Sequence, residues 1–130
     1  MPRVILSPAG GRDAAVHFKN TVLNPVSLDR FAQFVSPPEL AELAAIYGQE
    51  GARVWGVTPG DAFRSRSKWG LIDPGDAVLF CGRGEVFAYA FVKHKLHNRQ
   101  LAIDLWGKDG SGRTWEYIYF VSEPLTHSIS

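Results

Sequence analysis

The chain has 130 residues, of which 45% are hydrophobic and 21% charged, and its formal net charge is +1. This size and composition predict one soluble globular domain, and the single cysteine, Cys81, excludes an internal disulfide and a multi-cysteine zinc site. No apolar run approaches the ~20 residues of a membrane span, and the N-terminus lacks the apolar core of a secretory signal. We therefore expect a cytoplasmic protein with no membrane partner.

The first fifty residues are predicted to be helical. Asp13 is placed to begin a helix over residues 14–23, which Asn24 and Pro25 would end, because a residue before proline avoids the helical region. Ser27 is placed to begin a second, shorter turn over the residues that follow it.

The clearest local signal is the run Ser36-Pro-Pro-Glu39. Ser36 suits the N-cap, Pro37 suits the first helical position, and Glu39 stands where a capping box requires an acidic residue. Leu40 and Leu43 then begin an apolar face, and Gly48 is placed to end the helix.

From Arg53 onwards the pattern is that of short strands separated by turns. The predicted strands cover residues 53–57, 77–80, 85–93, 100–106 and 115–121, and residues 108–112 are predicted to form a hairpin loop. Five or six such strands predict a small, strongly curved β-barrel. The expected fold class is therefore α+β, one domain over residues 1–130 with a helical segment at 1–50 and a β-barrel core at 53–121.

Positive charge is concentrated in the predicted β-region. Residues 53–113 contain ten Lys or Arg and six Asp or Glu, a net charge of +4, whereas residues 1–52 have a net charge of −1. Basic and hydroxyl side chains in this region are candidate phosphate ligands: Arg64, Ser65, Arg66, Ser67, Lys68, Lys93 and Lys95. The alternative is that these runs are ordinary solvated loops.

One stretch of the chain resembles a known family. The order Trp55-Gly-Val57, a basic stretch, Lys68-Trp69 and then Asp73-Pro-Gly-Asp-Ala-Val-Leu-Phe80 is similar to the EVE and YTH branch of the PUA-like superfamily, over residues 53–121. The resemblance implies a compact β-barrel flanked by helices, with an aromatic pocket that holds a modified base.

The resemblance places Trp55 and Trp69 in the walls of that pocket. Tyr117 and Tyr119 alternate with apolar residues, so they either cover one face of a sheet or form a further aromatic wall that contacts the base. Trp106 and Trp115 are expected to be packing residues of the core or of a sheet edge.

These observations favour binding over catalysis. We expect a reader of a modified base, modified cytosine in DNA rather than RNA, that flips the base into the aromatic pocket. The resemblance also implies the recognition module of a modification-dependent restriction system, with a fused or partner nuclease. No catalytic, metal-binding or cofactor-binding motif is recognised, so the chain itself is not expected to be an enzyme. Two alternatives remain: a small-molecule or nucleotide-processing enzyme that uses the barrel cleft, and a protein-interaction module that uses the N-terminal helices.

Overall fold

The computed structural model describes residues 4–9, 11–58, 69–70 and 72–126 of the chain. The strands within these ranges are β1 (Val4–Pro8), β2 (Arg53–Val57), β3 (Ala77–Gly82), β4 (Glu85–His97), β5 (Tyr117–Val121) and β6 (Leu125–Thr126). The α-helices are α1 (Arg12–Phe18), α2 (Pro37–Tyr47) and α3 (Arg99–Trp106), with a π-helical turn at Lys19–Leu23 and a 3₁₀ turn at Leu28–Arg30. Within these ranges, none of the helices combines the length and apolar character that a bilayer crossing requires.

The strands form one mixed sheet in the order β1-β3-β4-β5-β2, and β6 pairs with β4. β1 runs parallel to β3, whereas the other pairs are antiparallel. Register shifts after Phe80 and after Val92 interrupt two ladders, and such irregularities bend a sheet. As a result the two edge strands approach each other, and the Trp55 indole of β2 donates a hydrogen bond to Ser7 of β1.

Apolar side chains pack on both faces of this sheet. Partners in an antiparallel ladder share a face, so Trp55 lies with Tyr119 on one face and Gly56 with Ile118 on the other. The larger members of the first core are Phe18, Val22, Trp55, Phe80, Val92 and Tyr119. The larger members of the second core are Phe31, Leu43, Val54, Leu101, Ile118 and Phe120.

The predicted helix starts are largely confirmed. The Ser36 hydroxyl accepts a hydrogen bond from the Glu39 amide at 3.3 Å, and Gly48 ends α2 with a φ of 64°. Ser27 caps the 3₁₀ turn in the same way. The predicted start at Asp13 is wrong, because the first helix begins after Gly11 and Asp13 lies in its first turn, where a negative charge favours the helix dipole.

The predicted strand at residues 100–106 is wrong, because this segment is the helix α3. The alternation of Leu101, Ile103 and Leu105 is typical of a strand, but Leu101 and Leu105 also have the spacing of one helical turn. The side chain of Asn98 decides the outcome by accepting a hydrogen bond from the Leu101 amide at 2.9 Å, which starts a helix. Residues 108–112 consequently connect a helix to a strand and are not a hairpin loop.

Two further expectations of the fold are corrected. The sheet is not closed into a barrel: β1 and β2 are its edges, and among the described strands no ladder joins them. The segment 1–50 also contributes β1, which pairs in parallel with β3. A five-residue run has too little periodicity to identify such a strand, and its partner is distant in sequence.

Candidate nucleic-acid interface

A cavity lies in the gap between the two edge strands of the sheet, and its volume is about 160 Å³. We call it the seam cavity. Its walls come from β1, α1, β2, the end of α3 and the segment before β5. The lining residues are Ser7, Ala14, His17, Trp55, Gly56, Val57, Trp106 and Trp115. An apolar cavity of about 150 Å³ can take up benzene, so the seam cavity is large enough for one six-membered ring.

Three of the four tryptophans of the chain line the seam cavity. Trp55 is only 5% exposed, and its ring is held edge-on against Phe80 with the centroids 5.4 Å apart. Trp106 and Trp115 are half-buried, so each retains accessible aromatic surface. Concave sites with exposed aromatic faces are suited to stacking on a planar base.

A chain of hydrogen bonds fixes the walls of the seam cavity. The Trp55 Nε1 donates to Ser7 Oγ at 3.1 Å, and Ser7 Oγ lies 2.8 Å from the Tyr119 hydroxyl. On the other side, Trp106 Nε1 donates to Thr21 Oγ1 at 3.2 Å. Burial raises the pKa of Tyr119 to about 12, so its phenol stays protonated at neutral pH. These polar atoms are satisfied by one another, which orients both indoles.

His17 on α1 contributes the remaining ring of the seam cavity. Its imidazole meets Trp115 edge-on with the centroids 4.4 Å apart. Burial lowers the pKa of His17, and the opposing effect of Asp13 is smaller. The imidazole is therefore neutral at pH 7, so the described lining of the cavity carries no formal charge and suits an uncharged ring better than a phosphate.

Gly56 of β2 lies directly against two walls of the cavity, those formed by Trp106 and Trp115. A Cβ built on Gly56 would overlap the Trp115 carbonyl oxygen and lie 2.9 Å from Cζ3 of Trp106. Only glycine allows both tryptophans to approach the strand in this way.

Trp69 is not among the described residues that line the seam cavity. Its ring meets Tyr117 edge-on at 5.2 Å, and Tyr117 stacks on His97 at 4.4 Å. Lys95 Nζ lies 4.8 Å from the centre of the Trp69 ring and donates to the Trp69 carbonyl at 3.0 Å. We call Trp69, Tyr117, His97 and Lys95 the Trp69 cluster. Because Tyr117 pairs with Val57 in the sheet, the cluster lies beside the seam cavity.

The structure therefore separates the four residues that the sequence predicts as base-binding. Trp55 lines the seam cavity, whereas Tyr119 is 1% exposed and supports Ser7. Trp69 and Tyr117 belong to the neighbouring cluster. A role for each of these four residues in base binding stays a prediction.

Five of the seven candidate phosphate ligands lie outside the described residues: Arg64, Ser65, Arg66, Ser67 and Lys68. Lys93 is exposed on β4. Lys95 Nζ donates to two backbone carbonyls, those of Trp69 and Gly70, each at 3.0 Å.

Within the described ranges, one group of side chains has the composition of a metal site. Glu39, Glu42 and His94 offer ligand atoms that lie within 4.8 Å of one another. The two nitrogens of His94 face different carboxylates, at 2.9 Å from Glu39 and 3.6 Å from Glu42. The contacts of His94 with these two carboxylates connect β4 to α2, and this structural role accounts for the group without a metal ion.

Sequence reasoning missed three aromatic residues of the cavity, namely Trp106, Trp115 and His17. The predicted strand at 100–106 made Trp106 a packing residue of the core or of a sheet edge, whereas it ends α3 and is followed by Gly107 with a φ of 76°. An Asn98 cap, had it been recognised, would have placed Trp106 at a helix end, which is where binding residues often lie. No local signal identifies His17 or Trp115, because they meet only through tertiary packing.

The fold and site define an α+β domain with an open, curved mixed sheet and an aromatic cavity at its seam. No family model matches the sequence, and no curated protein matches it. Among solved structures, the chain is similar to the N-terminal domain of Thermococcus gammatolerans McrB, in a structure of that domain bound to m5C DNA. The TM-score is 0.68 at 19% sequence identity, and the match covers 98% of this chain and 78% of that chain. A likeness at this identity shows that the two chains share a fold.

Proposed function

We propose that this chain reads a modified cytosine in DNA by accepting the flipped base in the seam cavity. The observation that carries the proposal is the cavity itself, which has the volume of one aromatic ring and is lined by three tryptophans. This volume favours a pyrimidine over a larger purine. The choice of DNA is supported by the shared fold, since the McrB domain is bound to m5C DNA in its structure.

The energetics of flipping are compatible with this cavity. Extruding a base costs a few kcal/mol, and stacking on an aromatic side chain returns ~1–3 kcal/mol. Trp106 and Trp115 have the accessible aromatic surface that stacking requires, whereas Trp55 forms a buried wall. Phosphate contacts from the basic residues between 53 and 113 supply the remaining affinity, and we propose that the Trp69 cluster contacts the DNA beside the cavity.

We further propose that the chain binds without cleaving and serves as the recognition module of a modification-dependent restriction system, with a fused or partner nuclease. The described lining of the seam cavity contains indole, imidazole and hydroxyl groups but no carboxylate or thiol. Its hydroxyl, that of Ser7, is held by Trp55 and Tyr119. These groups suit the recognition of a neutral ring better than hydrolysis.

The test is a comparison of matched fluorescent duplexes with and without 5-methylcytosine, titrated with the protein at one fixed salt concentration. The modified duplex should bind more tightly, and 2-aminopurine beside the modified base should brighten as its neighbour leaves the stack. Trp115→Ala should remove most of the preference. Equal affinities for the two duplexes would contradict the proposed function.

A further inference from the structure

The polar side chains around the seam cavity are largely committed to one another. Ser7 Oγ bonds with both Trp55 and Tyr119, and the Trp106 indole donates to Thr21. A base that enters the cavity nevertheless carries donors and acceptors on its own edge, and leaving them unpaired would oppose binding. The backbone of Gly56 is a lining group that can supply such partners.

The direction of the Gly56 backbone follows from the alternation of hydrogen bonds along β2. In an antiparallel strand the N–H and C=O of one residue point to the same side, and the next residue points to the other. Ala52 exchanges hydrogen bonds with Val26, at 2.7 and 2.8 Å, on the side away from β5. The carbonyl of Val54, two residues on, accepts from Thr21 Oγ1 at 2.7 Å.

Gly56 is the next residue in this series and therefore points the same way. The hydrogen bonds of β5 lead to the same conclusion. The Glu116 carbonyl accepts from the Asn98 amide at the end of β4, so it points towards β4. The N–H and C=O of Ile118, two residues later, therefore also point towards β4. Ile118 is the residue opposite Gly56. The N–H and C=O of Gly56 consequently face away from β5, into the seam cavity.

We infer that Gly56 reads the hydrogen-bonding edge of the bound base through its backbone, with its N–H donating to the ring nitrogen N3 of cytosine and its C=O accepting from the exocyclic amino group. This inference rests on the proposed function. The bound base would pair with the backbone of β2 at Gly56, on the side away from β5, in the way that Val26 pairs with Ala52. Glycine suits this role because a Cβ would displace the two tryptophans that stand against the strand.

The two contacts are tested by changing atoms of the DNA, since the backbone of Gly56 cannot be altered by substitution without moving the cavity walls. One duplex carries 3-deaza-5-methylcytosine, which lacks the ring acceptor, and another carries 5-methyl-2-pyrimidinone, which lacks the amino donor. Each is placed opposite an abasic site, so that lost base pairing does not alter the cost of flipping. A duplex with 5-methylcytosine opposite an abasic site is the reference.

We expect each analogue to bind about tenfold or more weakly than the reference. If both analogues match the reference while ordinary duplexes still show a preference for 5-methylcytosine over cytosine, the backbone contact is wrong and the proposed function stands. If only one analogue is weakened, the paired contact is likewise wrong. If ordinary duplexes show no preference for the modified base, the proposed function itself fails.

A spectroscopic measurement locates the contact in the chain. Tryptophan directly precedes glycine at Gly56, Gly70 and Gly107. Protein labelled with ¹³C at the tryptophan carbonyl and ¹⁵N at glycine therefore gives selected amide signals from these three glycines. The Gly56 proton should move downfield on binding the reference duplex and much less with the 3-deaza analogue, while Gly70 and Gly107 serve as internal controls. An unchanged Gly56 signal at saturation would overturn the inference.

Discussion

Two aromatic surfaces lie next to each other on this domain, and they differ in shape and charge. The seam cavity is concave, carries no formal charge on its described lining and takes its walls from segments that are far apart in sequence. The Trp69 cluster sets the Trp69 ring edge-on against Tyr117 of β5, which stacks on His97 of β4, and the Lys95 amine lies over the Trp69 ring. Both contain aromatic and polar residues, so their aromatic content does not distinguish them. What separates them is the unclosed sheet, because the seam cavity lies between β1 and β2 at the two ends of the main strand order.

The strongest test of this difference is Gly56→Ala. The added methyl group would overlap the Trp115 carbonyl and crowd Trp106, so the free energy of unfolding should fall by ~1–3 kcal/mol. Binding of modified DNA should fall to the level of unmodified DNA, because the cavity walls are displaced. Urea unfolding and duplex titration measure the two effects. Gly70→Ala, next to the Trp69 cluster, is the matched control, since a Cβ there meets no atom of the described residues within 4 Å.

A second pair of variants compares a tryptophan from each surface. Trp115→Ala should weaken binding of modified DNA by ~1–3 kcal/mol and have little effect on unmodified DNA, because it removes a stacking face. Trp69→Ala should weaken both ligands by a similar and smaller amount. Titrations of each variant with the modified and the unmodified duplex measure these changes in affinity. The reverse pattern would assign the base to the Trp69 cluster.

The two tyrosines of β5 provide a third comparison. Tyr119→Phe removes the hydroxyl that supports Ser7 and should lower stability by ~0.5–1.5 kcal/mol. Tyr117→Phe alters a half-buried ring and should stay within ~0.5 kcal/mol of the parent. Denaturant unfolding of both variants at pH 7 measures the difference. Equal losses would show that the Ser7 contact does not support the cavity.

The same tyrosine makes stability depend on alkaline pH. Burial raises the pKa of Tyr119 to about 12 from its usual value of 10.0, so the unfolded chain loses this proton at a lower pH than the folded chain. The contribution is fully present below pH ~10 and is lost as the pH rises towards 12. Unfolding curves between pH 9 and pH 11 should show this decline, and Tyr119→Phe should make it shallower. An unchanged slope would contradict the assignment.

The smallest effect concerns phosphate contacts, which should be independent of the modification. Replacing Arg64 and Arg66 together by alanine should weaken modified and unmodified duplexes alike and reduce the salt slope by ~1 for each lost contact. Arg30→Ala is a charge control, because its guanidinium is paired with Asp104 at 2.8 Å. If the double variant keeps the parent slope, the basic run does not contact DNA.

The sequence predicts the elements whose signals are local. The Ser36 cap and strand β2 are encoded by neighbouring residues, and the structure confirms both. Strand β1 and the helix α3 were missed for different reasons. β1 depends on its pairing with β3, whereas the period of α3 is ambiguous and is settled by one Asn98 hydrogen bond.

In the candidate site too, the residue with a local signal was predicted and those that depend on tertiary packing were not. Trp55 was identified because it lies in a strand whose order in the chain resembles a family pattern. Trp106 and Trp115 were not, because they reach the cavity only after α3 has packed against the sheet. The concavity itself comes from the failure of β1 and β2 to pair, a property of the whole sheet that no local pattern encodes.

Because the walls of the seam cavity come from both ends of the sheet and three flanking segments, an occupant would connect parts of the chain that separate on unfolding. Any molecule that binds only the folded state raises the free energy of unfolding, by ~2.7 kcal/mol when its free concentration is a hundred times its dissociation constant. The melting temperature of this domain should therefore report occupancy of the cavity. A thermal-shift screen of free modified nucleosides would then rank ligands by affinity without any DNA present.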